Sequence, residues 1–144
     1  MLNTTFNKLK EAGACTDRYR YLAKALGGIN HYGKDTLIPL DKLLEINGLD
    51  DALWALRAVI EPADREIRLL ACDFAEHTLP LFETKYPDDK RPRLAIEASR
   101  NYANGQATLT ELAAARAAAG AAAGDAAGDA VRGWQEVKLL EMLK

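Results

Sequence analysis

Cysteine is almost missing from this chain, with two in 144 residues. Cys15 and Cys72 form no C-x-x-C and stand in no histidine-rich stretch, which argues against zinc. Both stand among apolar neighbours at helical spacing, so both are expected to be buried free thiols. Aromatic residues make up only 7% of the chain, which weighs against a sheet-built core. No strongly apolar run approaches the ~20 residues that span a bilayer. The alanine-rich stretch has the length, but it is weakly apolar and is interrupted by Arg116, Asp125 and Asp129. Met1–Lys10 has no apolar stretch of the kind that marks a signal peptide, so a cytoplasmic location without a membrane partner is expected. The net charge of −2 gives no global attraction to nucleic acid. Phosphate-binding glycine loops, kinase signatures, dinucleotide fingerprints and H-E-x-x-H are all missing, and no serine or cysteine sits in a nucleophile motif. The expectation is therefore a protein that is not an enzyme and holds no cofactor and no metal.

What the chain has is alanine and helix punctuation. With 49% apolar residues it can bury a core as one domain, residues 1–144. From Leu112 to Val131 it is nearly all alanine, with Gly120, Gly124 and Gly128 at every fourth position. That spacing puts the three glycines on one helix face, a stripe that another backbone can approach closely. Glycine inside a helix costs about 1 kcal/mol against alanine, so three in register point to close packing, either inside the fold or between protomers of a homo-oligomer.

The pattern predicts an all-α, single-domain bundle of six or seven helices. Thr4 or Thr5 caps a first helix that ends at Gly13, and Thr16 caps a second that ends at Gly27-Gly28. A loop through His31 and Tyr32 follows. Pro39 opens a short helix that Asn47-Gly48 stops, and Asp50 or Asp51 caps the helix of Ala52–Ile60. Pro62 starts a helix to about Leu79, with Pro80 kinking or ending it. Its apolar residues, Ile67, Ala71, Phe74, Ala75, Leu81 and Phe82, cover more than half the circumference. It is expected to be central, with others around it on most sides. A helix from Arg91 to Ala103 follows the turn of two prolines and two aspartates. Thr108-x-x-Glu111 is a capping box that opens a long Ala/Gly-rich C-terminal helix from Leu109 to about Met142. Trp134, Val137, Leu140 and Leu143 give its end an apolar face.

Few side-chain constellations suggest chemistry. Asp73 and His77 are i, i+4 neighbours, which suits either a tuned base or an ordinary surface pair. Arg68 falls on the apolar side of its helix and needs a partner. The acids Asp41, Glu45, Asp50 and Asp51 are the candidates, and the alternative is an anion pocket of Arg57, Arg65 and Arg68. Arg91 and Arg93 at a helix start attract anions, but Asp88 and Asp89 compete there. Trp54 reads as a core anchor. Arg18, Arg20 and Lys24 interleave with Tyr19 and Tyr21, yet one such helix in an acidic protein does not make a nucleic-acid surface. Charge is uneven along the chain. Residues 1–40 carry six Lys/Arg against three Asp/Glu, and residues 41–66 carry three against seven.

The blocks Ile38-Pro39-Leu40 through Leu43-Leu44, Asn47 to Arg57, Arg65 to His77 and Tyr86 to Pro92, followed by the alanine tail, resemble in that order the Imm-5-like immunity-protein family of bacteria and phages. The resemblance implies a helical, non-enzymatic protein that acts by binding another protein, as a toxin-neutralising immunity protein or a phage blocker of a defence system. It supplies no catalytic residues. The partner would then be basic, and Asp41, Glu45, Asp50 and Asp51 would be the contacts. The alternatives are a self-associating helical module built on Gly120, Gly124 and Gly128, or a small-anion-binding or catalytic protein built on the arginines with Asp73 and His77.

Overall fold

The computed structural model describes residues 1–119 and 129–144. Gly120, Gly124 and Gly128 therefore lie outside the described residues. Those described are mostly helical, in nine α-helices and two strands of two residues each. They form two compact units, residues 1–63 with 139–144, and residues 64–138.

The first unit begins with strand β1, Asn3–Thr4, then α1, Phe6–Glu11. Thr5 caps α1 by accepting from the Lys8 N–H at 3.1 Å. Gly13, at φ 83°, takes the left-handed turn that ends it. Helix α2 is Thr16–Ala25, with Cys15 rather than Thr16 in the capping position. The Cys15 thiol is exposed, contrary to the sequence expectation, because capping puts it outside the helix's apolar face. One turn, α3, Ile29–Tyr32, forms where a loop was expected. Strand β2, Ile38–Pro39, pairs antiparallel with β1, Thr4 opposite Ile38. Helix α4, Leu40–Asn47, runs to Gly48, where φ of 86° turns the chain directly into α5, Leu49–Ala55. A 3-10 turn, Leu56–Ala58, completes α5. Phe6, Ile38, Leu40, Ala52 and Leu139 are fully buried. Phe6 is held edge-on by Tyr19 at 5.4 Å and Tyr32 at 6.0 Å. The buried Thr4 hydroxyl donates to the Ala58 carbonyl at 2.7 Å, so its burial leaves no unmet hydrogen bond.

In the second unit, α6 spans Asp64–Lys85 and runs through Pro80. It starts two residues after Pro62, and the interior proline does not end it. Helix α7, Arg91–Ala103, carries Pro92 in its first turn, where a missing N–H costs nothing. Helix α8, Leu109–Ala119, opens on the expected capping box. The Glu111 N–H donates to Thr108 Oγ1 at 3.2 Å, and the Thr108 N–H donates to the Glu111 carboxylate at 2.7 Å. Helix α9, Asp129–Leu143, follows, with its last turn in the first unit. The single helix expected from Leu109 to about Met142 crosses residues 120–128, which lie outside the described residues.

The burial of α6 departs from the expectation. Leu70, Cys72, Thr78 and Leu79 are its buried residues, while Ala71 and Leu81 are exposed. Its apolar residues wrap so much of the circumference that their periodicity selects no single side, and the packing partner decides. That partner is α7, which packs against both α6 and α8. Within the second unit α6 meets α7 along its length and Trp134 of α9 at Phe74 and His77. On α9, Leu143 is buried and Trp134 packs against Phe74 and His77 as the expected apolar face requires, but Val137 is 53% exposed and Leu139 is fully buried.

Candidate functional site

The first unit holds the four acids Asp41, Glu45, Asp50 and Asp51. Asp41 stands in the first turn of α4, half-buried, where a carboxylate suits the helix dipole. Its Oδ1 accepts from the Lys42 N–H at 2.7 Å. Glu45 lies one turn further along α4 and is exposed. Asp50 and Asp51 occupy the first turn of α5, Asp50 exposed and Asp51 half-buried. Asp51 is tied down. It accepts from Arg18 Nε of α2 at 2.6 Å and from Asn47 Nδ2 of α4 at 2.7 Å. Arg18 also donates to the Asn47 carbonyl, so one arginine–aspartate–asparagine knot joins α2, α4 and α5. Tyr21, 52% exposed, lies under the Arg18 guanidinium at 5.1 Å.

The three arginines of the expected anion pocket each have a partner of their own. Arg57, in the first unit, lies over the Trp54 ring at 4.9 Å and donates to the Trp54 carbonyl. Trp54 is half-buried rather than a core anchor. In the second unit, Arg65 donates to Asn104 Oδ1 at 2.9 Å. Arg68 lies 4.8 Å over the Tyr102 ring of α7. An aromatic face thus supplies what a carboxylate from residues 41–51 was expected to supply, because α7 packs on that side of α6 and brings Tyr102 there.

At the α6–α7 turn, Arg91 closes on Asp89, and Arg93 pairs with Glu83 at 2.6 Å. The hydrogen bonds from Arg91 hold the Asp89 carboxyl at about 2. These arginines are occupied by carboxylates, which answers the anion question at this helix start.

Asp73 and His77 do not form the base pair that their spacing allows. Arg100 of α7 donates to Asp73 at 2.8 Å and to Glu76 at 2.5 Å. His77 instead lies flat on Trp134 of α9, ring centroids 3.8 Å apart and planes 9° from parallel. Phe74 meets the same indole edge-on at 5.9 Å. Arg100 and Trp134 lie 23 and 57 residues beyond His77, too far for local spacing to reveal them. The buried Cys72 thiol is pushed up by burial, away from the thiolate that a nucleophile needs. Among the described residues no group of three or more His, Cys, Asp or Glu is placed to hold a metal ion, and no helix is long and apolar enough to cross a membrane.

Among the described residues, Asp73, His77 and Cys72 are thus engaged by Arg100, by Trp134 and by burial respectively. What the geometry offers is the Arg18–Asp51–Asn47 knot of the first unit and an aromatic contact between two helices of the second. No curated protein and no solved structure matches the chain. The family model described as Imm-5 like putative immunity protein matches residues 58–133, more than half of the sequence. The chain belongs to the Imm-5-like family.

Proposed function

We propose that this protein is a non-enzymatic inhibitor that acts in the cytoplasm by binding another protein, neutralising a toxin or, as a phage product, blocking a bacterial defence component. The observation that carries this reading is the family match over residues 58–133. The contact face in this reading is the acidic surface of α4 and α5, with Asp41, Glu45 and Asp50 meeting a basic partner and Asp51 anchoring the face from behind. Its support is the clustering of acids at the starts of two consecutive helices, backed by the Arg18–Asp51–Asn47 knot. Complementary charge of this kind speeds encounter and fixes the choice of partner.

The test is the association rate of the protein with its purified toxin at several salt concentrations. The variant D41N/E45Q/D50N, which leaves Asp51 in its knot, should keep its helix content. It should associate at least tenfold more slowly and lose most of the salt dependence. An unchanged rate in a folded variant removes this face from the account.

A further inference from the structure

The contact between α6 and α9 within the second unit is made by rings. His77 and Trp134 lie parallel at van der Waals distance, and Phe74 buttresses the indole from its edge. The pair stands at the surface, with His77 exposed and Trp134 half-buried, so a proton reaches the imidazole from water. Around it, among the described residues, stand Asp73 and Glu76 of α6, Arg100 of α7 and Lys138 of α9. Asp73 and Glu76 are both bonded to Arg100. Lys138 Nζ lies 5.9 Å over the same indole. What the proton changes is the ring contact itself.

We propose that the His77–Trp134 stack is a pH-responsive clasp that fastens α9 to α6 more firmly in mild acid. Imidazole takes up its proton between pH 5 and 8. A neutral imidazole on indole has ordinary stacking, and an imidazolium on the same face adds cation–π attraction. The opposing charge is Lys138, at a longer distance from the indole and on the same helix as it. The proposal does not depend on the identity of any partner.

The experiment uses the full chain with Trp54→Phe, which leaves Trp134 as its single tryptophan. Trp134 emission should fall between pH 8 and 5 as the imidazolium quenches it. Amide exchange over residues 134–138, corrected for intrinsic rate, should be about twofold to fivefold slower at pH 5.5 than at 7.5. His77→Gln should abolish both changes. His77→Phe should keep the protection at both pH values without a pH step, which separates loss of the proton from loss of the stack. A pH step of the same size in His77→Gln, or none in the parent, overturns the proposal.

Discussion

Glu61→Gln tests how the N-terminal strand is held. The Glu61 carboxylate accepts from the Asn3 backbone N–H at 2.7 Å and from the Asn3 side-chain amide at 2.6 Å. The Ile60 N–H donates back to the Asn3 carbonyl at 2.9 Å. Burial works to raise the Glu61 carboxyl, and the hydrogen bonds from Asn3 overcome it, leaving it below the usual carboxylate range. Glutamine keeps one acceptor but turns an NH2 group toward a donor. Hydrogen bonds to a charged group are worth about 1.5–3 kcal/mol each when well shielded. With Glu61 half-buried, a loss of about 2 kcal/mol is expected for the pair, or about 1 M in the urea midpoint. The sign with pH follows from the depressed value in the folded state. The contribution is fully present above the unfolded carboxylate value of about 4.3 and is lost as pH falls through the lower folded value. Urea unfolding of both proteins from pH 7 to pH 3 should therefore show a gap that is constant above about pH 5 and closes in acid. Other titrating groups are shared and cancel in the difference. A gap below about 0.5 kcal/mol at pH 7, or one that persists undiminished in acid, refutes the reasoning.

Phe6→Ala should destabilise the protein by about 3–5 kcal/mol, because it empties a fully buried site and removes two edge-on ring contacts. Chemical denaturation measures this, and a cost under about 1.5 kcal/mol would mean the site collapses around the loss. Arg100→Ala should cost about 1 kcal/mol, since one half-exposed guanidinium serves two carboxylates. A double-mutant cycle with Asp73→Asn should recover part of that coupling, and 1 M salt should weaken it. Thr108→Ala should cost about 1 kcal/mol and speed amide exchange in the first turn of α8 while leaving α7 protected. Equal exchange in both proteins would show the capping box to be idle.

Local signals in the sequence carried far. Thr5, Gly13, Gly48 and the Thr108–Glu111 box end or start helices where their chemistry requires it. These signals act within four residues, so spacing reveals them. The parts not legible depend on distant partners. Asn3 finds Glu61, 58 residues away, and Arg68 finds Tyr102, pairings that no periodicity encodes. On α6 the excess of apolar residues concealed which side would be buried. Cys15 stood at helical spacing among apolar residues, yet its place at a helix start put the thiol in solvent. The acids of α4 and α5 were visible as a charge imbalance, but the role of Asp51 as Arg18's partner was not. His77 was visible as a candidate, and its partner Trp134 was not.

The most direct test of the inhibitor account is the native mass of the purified protein, alone and after affinity capture of its partner. The account predicts a stoichiometric complex with a basic protein whose toxicity is suppressed in the complex, and loss of that complex in folded D41N/E45Q/D50N. A homo-oligomer that takes up no partner, or equal capture by wild type and variant, would contradict it.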